Sequence, residues 1–186
     1  MSKILTRREL ESAIKRKPPL VENLIAPEMQ IQQNGIELTL KEIFAFRSNE
    51  TGAIAFNNSK RRIVRGRQLE FDDLGWITLK KGAYRVIFNE KVNIPRNVFA
   101  LARPRSSLLR NGVSVETALW DSGYSGRSES LLVVHTSAGF MIERNARLIQ
   151  LVFFLQSRTI EAEYTGRYSN ENVAQQLGFD QLLAER

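Results

Sequence analysis

Residues 104–126 read PRSSLLRNGVSVETALWDSGYSG, and two turn-forming clusters interrupt this stretch. The clusters are RNG at 110–112 and DSGYSG at 121–126, which combine glycine with polar residues that favour tight turns. The Ser-Gly pairs can supply the positive φ angles of a hairpin turn, so residues 121–126 predict a strand–turn–strand hairpin. Apolar residues lead into this turn and end at one acid, Asp121. The stretch therefore predicts short strands joined by tight turns, with a carboxylate at the mouth of one turn.

Similar segments recur along the chain from about residue 29 onward. Six of them are rich in β-branched and aromatic residues and show much alternation. They are IELTLKEIFAF (36–46), GWITL (75–79), AYRVIF (83–88), VFALARP (98–104), SLLVVHT (130–136) and ARLIQLVFFL (146–155). Many short strands at this spacing are typical of a sandwich, jelly roll or barrel. We therefore expect a mainly β fold in a single domain spanning residues 1–186.

The N-terminal region, residues 1–17, predicts one short helix that packs on the main body. TRRE at 6–9 has the spacing of a capping box, and Leu10 and Ile14 then lie four residues apart on one helical face. KRKPP ends this helix, because the residue before a proline is pushed out of the helical region. At the other end, residues 157–186 form a polar tail in which NVAQQLGFDQLLAER predicts a short closing helix.

The composition excludes several classes of function. The chain of 186 residues has no cysteine, so disulfides, thiolate metal sites and cysteine nucleophiles are excluded. No apolar run approaches the roughly 18 residues of a membrane span, and the N-terminus lacks the apolar core of a secretory signal. We therefore expect a cytoplasmic protein with no membrane partner. The net charge of +7 favours nucleic acid, a membrane surface or a nucleotide without choosing among them.

Two patches concentrate positive charge. In SKRRIVRGR, five of the eight residues 60–67 are Lys or Arg, which fits either a phosphate-binding strip or a solvated hairpin. We favour the solvated hairpin, because no aromatic residue interleaves with these charges to stack on bases. A nucleic-acid partner is therefore not expected. The second patch, RPRSSLLRNG at 103–112, places arginines around Ser106 and Ser107, a composition that suits phosphate oxygens in a turn but also occurs in ordinary turns.

Asp121 and His135 are candidates for acid–base chemistry. An aspartate in a turn either bonds its own backbone or acts as a general base that deprotonates a water molecule. His135 ends LLVVHT with no Ser-His-Asp arrangement visible around it, so we interpret it as structural. From these residues alone, both interpretations of Asp121 stay open.

Four segments, in this order along the chain, favour the general-base interpretation of Asp121: IQQNGIELTL, PRSSLLRNG, ALWDSGYSGR and RLIQLVF. The series resembles the ordered motifs of the dUTPase and dCTP deaminase superfamily, especially its archaeal-type dUTPase branch, over roughly residues 18–168. The resemblance implies a distorted jelly roll or β-barrel, assembled as a homotrimer with sites between subunits. It also implies Mg²⁺ as cofactor, carried by the triphosphate of the substrate dUTP.

The resemblance also implies a role for each matched residue. Asp121 would activate water for attack on the α-phosphorus, and Tyr124 would pack on the deoxyribose and exclude a 2′-hydroxyl. Glu37 stands where the family usually has Asp, and would hold water on Mg²⁺ as an indirect metal ligand. The remaining matches would bind substrate, at the phosphates or, for the last two, by closing over the nucleotide: Arg105, Ser106, Ser107, Arg110, Gln150, Arg167 and Tyr168.

The position of one glutamate decides the expected reaction. Deaminases of this superfamily need a glutamate ten residues beyond the matched aspartate, where this chain has Leu131. Leucine cannot transfer protons, and Glu129, on the same strand face, is displaced by about 7 Å. We therefore expect hydrolysis of dUTP to dUMP and pyrophosphate. The alternatives are a dCTP deaminase, a bifunctional enzyme, or a non-catalytic relative that binds nucleotide or nucleic acid.

Overall fold

The computed structural model describes residues 3–161 and 166–173 as a mainly β protein. Within these residues it has fourteen strands and three short α-helices. The strands are β1 (Lys3–Ile4), β2 (Val21–Glu22), β3 (Ile31–Gln32), β4 (Gly35–Ala45), β5 (Arg67–Leu69), β6 (Trp76–Leu79), β7 (Gly82–Phe88), β8 (Lys91–Asn93), β9 (Val98–Pro104), β10 (Val113–Glu116), β11 (Ser125–Gly126), β12 (Glu129–Val134), β13 (Phe140–Glu143) and β14 (Arg147–Leu155). The helices are α1 (Arg7–Ala13), α2 (Pro27–Gln30) and α3 (Ser106–Arg110), and Asn58–Lys60 form a 3₁₀ turn. All six predicted strand segments contain a strand.

The strands form one large curled antiparallel sheet and two small ones. The large sheet has the order β1-β14-β4-β7-β12-β10, with β9 added on β14 and with β3 and β5 added on β4. The smaller sheets have the orders β11-β8-β2 and β13-β6. This architecture confirms the predicted mainly β, distorted jelly-roll fold.

The central strands β4 and β14 carry the middle of the core. Ile36, Leu38 and Leu40 of β4 are fully buried, and so are Leu151 and Phe153 of β14. Burying one such side chain stabilises the fold by about 1.5–3 kcal/mol. These two strands therefore form a rigid base for the side chains at their edges.

The N-terminal helix is shorter than the predicted 1–17 range. The capping box is confirmed, since the Thr6 amide donates to Glu9 Oε2 at 2.9 Å, and Leu10 is fully buried. The helix covers only α1 and has Ile14 as its C-cap. Ahead of it, Lys3–Ile4 pair with the end of β14 as strand β1, because an edge of the large sheet is open to them there. The predicted closing helix lies almost entirely in 174–186, outside the described residues.

The hairpin predicted at 121–126 is wrong. Trp120 pairs with Ala100 of β9, whereas Ser125 and Gly126 form β11 and pair with β8. The turn itself is present, since the Tyr124 amide donates to the Asp121 carbonyl at 3.0 Å. The chain thus passes from one sheet to another through a tight turn, which requires partner strands that the local sequence does not reveal.

No helix in the described part of the chain is both long enough and apolar enough to span a bilayer.

Candidate functional site

A pocket of about 220 Å³ lies beside the turn at Asp121. Its walls come from the residues that precede the turn, from the start of β12 and from the C-terminal segment 166–173. The side chains that matter for its chemistry are Asp121, Tyr124, Glu129, Tyr168 and Glu171, and we call this site the carboxylate pocket. It combines three acids with two phenol rings, a set suited to proton transfer next to a flat or ring-shaped ligand.

Asp121 presents a free carboxylate. The residue is exposed, and its side chain makes no hydrogen bond or ion pair with any of the described residues. Its backbone carbonyl, not its carboxylate, closes the turn. Gly123 has φ +85°, a left-handed conformation that glycine adopts without steric strain. Because the backbone builds the turn, the carboxylate remains available to accept a proton from water.

Tyr124 is held rigidly next to this carboxylate. Its side chain is buried, its hydroxyl donates to Glu171 Oε1 at 2.7 Å, and its carbonyl accepts from the Ile94 amide at 2.7 Å. A Cβ atom on Gly126 would lie 2.8 Å from the Tyr124 hydroxyl oxygen. The second glycine of the motif is therefore required so that the tyrosine hydroxyl can pass close to the backbone.

Glu129 enters the pocket, although the family position for a catalytic glutamate is Leu131. Burial alternates along β12, so Glu129 and Leu131 lie on the same face, as predicted. Glu129 pairs with Arg85 Nη1 at 3.3 Å and accepts from Asn172 Nδ2 at 3.2 Å. Within the described residues, Glu129 lines the pocket and Leu131 does not.

Tyr168 and Glu171 bring the C-terminal segment into the site. The predicted residue Tyr168 lines the pocket, with the Arg61 guanidinium 5.9 Å from its ring centroid. Arg167 lies on the same segment and is exposed. Burial raises the pKa of Glu171 to about 7, with Glu129 acting in the same direction and the Tyr124 hydrogen bond opposing it. Sequence reasoning missed Glu171, because an acid three residues after a matched tyrosine carries no signal of its own.

A second group of charged side chains surrounds the predicted residue Glu37 on β4. We call Glu37, Arg105 and Arg147 the arginine cluster. The Glu37 carboxylate is buried and pairs with Arg105 Nε and with Arg147 Nη1, both at 2.9 Å. In the sheet register, Gln150 lies opposite Glu37 on one side and opposite Arg103 on the other. One buried acid is thus compensated by two arginines, and a positive charge remains at the edge of the sheet.

Ser106 and Ser107 lie beside this cluster, but not in a turn. They begin the five-residue helix α3, which follows Arg105 in an extended conformation and ends at Arg110. Both serines and Arg110 are exposed. The predicted turn is a short helix in the structure, in which Leu108 is buried, and the phosphate-binding role of the two serines stays a prediction.

The two groups lie apart in one chain. Trp120, next to Asp121, pairs with Ala100 of β9, and Arg105 follows five residues further along. Five residues of strand span about 16 Å. A single copy therefore does not bring the carboxylate pocket and the arginine cluster into contact.

The described residues do not fit a metal held by the protein. No group of three or more His, Asp or Glu side chains in the described part of the chain is arranged to hold an ion. Glu37, the predicted indirect ligand, is already engaged by two guanidinium groups. We therefore expect no chemical step to depend on a metal ion held by the protein's own side chains.

The curled antiparallel sheet is the mainly β fold expected from the motifs. The chain belongs to the dCTP deaminase-like family, whose family model matches residues 4–155. It is 52% identical over 170 residues to a probable deoxyuridine 5'-triphosphate nucleotidohydrolase of Methanosarcina mazei, covering 91% of this chain and 98% of the relative. A relative of the same name from Archaeoglobus fulgidus is 41% identical over 170 residues, with the same shares of each chain covered.

A solved structure agrees at the level of fold. The chain is similar to a 2'-deoxycytidine 5'-triphosphate deaminase from Agrobacterium tumefaciens, with a TM-score of 0.66 and 18% identity. The similarity covers 83% of this chain and 48% of that one. At this identity the comparison supports the shared fold alone.

Proposed function

We propose that this protein hydrolyses dUTP to dUMP and pyrophosphate. The observation that carries the proposal is the exposed carboxylate of Asp121, which has no partner among the described residues, beside the buried ring of Tyr124. The relatives named as deoxyuridine 5'-triphosphate nucleotidohydrolases support the same choice of substrate.

The proposed mechanism gives each of these two side chains one role, as the resemblance implies. The Asp121 carboxylate takes a proton from a water molecule, whose oxygen attacks the α-phosphorus. The bond from the α-phosphorus to its bridging oxygen breaks, and pyrophosphate leaves with the bonding electrons. The Tyr124 ring packs against the deoxyribose, where a 2′-hydroxyl would meet the ring and be excluded.

We propose that the triphosphate is bound by the arginine cluster and α3 of a neighbouring copy. Arg105, Ser106, Ser107, Arg110 and Gln150 would supply cationic and hydroxyl groups for phosphate oxygens. The separation of about 16 Å within one chain supports a site shared between copies. The homotrimer that the resemblance implies would bring such copies together.

We propose that Mg²⁺ arrives on the triphosphate and not on the protein. The described residues offer no ligand set of their own, which agrees with a metal carried by the substrate. Bound there, Mg²⁺ would neutralise phosphate charge.

Deamination of dCTP is the second candidate, and one observation favours it. Glu129 lies in the same pocket as Asp121 and Tyr124, together with Glu171, whose pKa is raised to about 7. Two carboxyl groups beside a base could move a proton between water and an exocyclic amine. Against this, Glu129 is engaged by Arg85, and the family position for the catalytic acid is Leu131.

The deciding experiment separates the candidate reactions by their products. The purified protein is incubated with Mg²⁺ and, separately, with dUTP, dCTP and UTP, and products are identified by chromatography. We expect dUMP and pyrophosphate from dUTP, with dCTP and UTP largely unchanged. dUTP or dUMP formed from dCTP would establish deamination instead, and no turnover of any nucleotide would favour a binding role.

A further inference from the structure

The C-terminal segment 166–173 is attached to the small sheet beside β11 by one isolated bridge. Gly126 and Glu171 form a parallel bridge, in which the Arg127 amide donates to the Glu171 carbonyl at 3.0 Å. The Asn170 amide donates to the Ser125 carbonyl at 2.7 Å. Side chains add to these two main-chain hydrogen bonds, since Asn172 Nδ2 donates to the Arg127 carbonyl at 2.9 Å and Arg127 Nη1 donates to the Asn172 carbonyl at 3.4 Å. A few hydrogen bonds are a modest attachment for a segment that forms one wall of the pocket.

Two side-chain contacts link this segment to the chemistry of the site, and one of them joins Asn172 Nδ2 to Glu129 at 3.2 Å. The Tyr124 hydroxyl donates to Glu171 Oε1 at 2.7 Å, directly across the bridge. A Cβ atom at Gly126 would lie 2.8 Å from that hydroxyl oxygen and 3.2 Å from Glu171 Cγ. The tyrosine, the glycine and the glutamate are therefore fitted to one another in three dimensions.

Glu171 has acids and a phenol around it, and its nearby cations are already engaged. From β12, Glu129 faces it while paired with Arg85 of β7 at 3.3 Å. Arg127 is occupied by the Asn89 carbonyl at 3.0 Å, and Asp121 lines the same pocket. Arg61 lies on the ring of Tyr168. No ion pair joins Glu171 to a lysine or arginine of the described residues, so burial and the neighbouring Glu129 disfavour its charged form.

We propose that Glu171 is a positioning residue, which in its protonated form fastens the segment 166–173 to the pocket and fixes the hydroxyl of Tyr124. The fastening serves the nucleotide site, and in that respect it rests on the proposed function. While the segment is attached, the Glu171 contact holds the Tyr124 hydroxyl toward it. The pocket wall formed by Tyr168 is likewise present only while the segment is attached.

The direction of the pH effect follows from the raised pKa. The pKa of Glu171 rises from 4.5 to about 7 in the attached state. A group with a raised pKa stabilises the state in which it is buried at low pH, and this stabilisation is lost as the pH rises through the raised value. The contribution of Glu171 to the attachment is therefore fully present below about pH 4.5 and is lost as the pH rises from there through about 7.

Hydrogen exchange tests the attachment without relying on activity. Exchange in peptides covering residues 125–127 and 168–172 is compared between the wild type and Glu171→Gln at pH 6 and pH 8.5. The amide oxygen of glutamine can still accept from Tyr124 but does not titrate. Comparing the two proteins at one pH cancels the intrinsic pH dependence of exchange.

We expect the wild type to exchange faster than Glu171→Gln, by a small factor at pH 6 and by a several-fold larger factor at pH 8.5. Glu171→Ala removes the contact and should exchange fast at both pH values. Glu70→Gln, at an exposed acid on another element, should behave as the wild type does. Equal exchange in the wild type and Glu171→Gln at both pH values would overturn the proposal.

Kinetics separate this proposal from the proposed function. If dUTP is turned over, we expect KM to rise several-fold between pH 6 and pH 8.5 in the wild type and to change less in Glu171→Gln. A KM that rises equally in both proteins would contradict the positioning role. If no nucleotide is turned over, the proposed function fails, and the exchange result still decides whether Glu171 fastens the segment.

Discussion

At the scale of single residues, one acid of the carboxylate pocket has no side-chain partner among the described residues, and the other reactive side chains have partners. Asp121 is free to react, whereas Tyr124, Glu129 and Glu171 are fixed by hydrogen bonds or an ion pair. This division is what a general base beside a rigid binding wall requires. It gives each side chain a separate prediction.

Asp121→Asn should retain nucleotide binding and lose turnover. An amide is isosteric with the carboxylate but cannot take a proton from water, so we expect kcat to fall by about 10²–10⁴-fold. Binding of a non-hydrolysable dUTP analogue and steady-state kcat are measured together. Asp73→Asn, an exposed aspartate away from the pocket, is the matched control. Unchanged turnover in Asp121→Asn would exclude the proposed mechanism.

Tyr124 carries two separable properties, its ring and its hydroxyl. Tyr124→Ala removes the ring and should weaken discrimination against UTP, because nothing then excludes a 2′-hydroxyl. Tyr124→Phe keeps the ring and should keep that discrimination while losing the hydrogen bond to Glu171. The ratio of kcat/KM for dUTP to that for UTP measures the difference. Equal loss of discrimination in both variants would show that the ring is not the selective element.

Gly126→Ala should disturb the same pair from the backbone side. The added methyl group would lie 2.8 Å from the Tyr124 hydroxyl oxygen, so Tyr124 and Glu171 must separate. We expect a higher KM for dUTP and faster exchange in 168–172. Gly52→Ala places its methyl group at an ordinary 3.4 Å from its neighbours and should have little effect. If the two variants behave alike, the close approach at Gly126 is not important.

At the scale of secondary-structure elements, the arginine cluster holds three strands and a helix together. Glu37 lies on β4, Arg147 begins β14, and Arg105 joins β9 to α3. The acid is buried, and the two arginines are partly exposed. This arrangement fixes the start of α3, and with it Ser106 and Ser107, relative to the large sheet.

Glu37→Gln should therefore act first on stability. Two guanidinium groups lose their compensating charge, and because they are partly exposed we expect a loss of roughly 1–3 kcal/mol in the free energy of unfolding. Urea denaturation measures this loss. The Mg²⁺ concentration for half-maximal turnover is measured on the same protein. A changed Mg²⁺ requirement with unchanged stability would support the metal role implied by the family position.

At the scale of the whole molecule, the proposed site is completed by another copy. Mixed assemblies test this directly. Asp121→Asn and the double variant Ser106→Ala/Ser107→Ala are each assayed alone and after co-refolding in equal amounts. If each site takes Asp121 from one copy and the serines from another, about a quarter of the sites in random mixtures are fully wild type. Recovery of activity above both parents is expected, and no recovery would argue that each site lies within one chain.

The strand pattern could be predicted, and the way the strands join could not. β-Branched and aromatic runs located all six predicted segments, because alternation and turn residues are local properties. The hairpin predicted at 121–126 was wrong, because the same turn can join two strands of one sheet or lead the chain from one sheet to another. Only the pairing of Trp120 with Ala100 and of Gly126 with Val92 distinguishes these cases.

The sequence by itself determined the mainly β fold, the turn that presents Asp121 and the motifs that place the chain in its family. These features depend on residues close together in the chain. Only the tertiary structure decided that Glu171 meets Tyr124, 47 residues away, and that Arg105 and Arg147 meet on Glu37. Contacts between such distant positions leave no periodicity or spacing in the sequence. They arise because strand register and sheet curvature bring these side chains together.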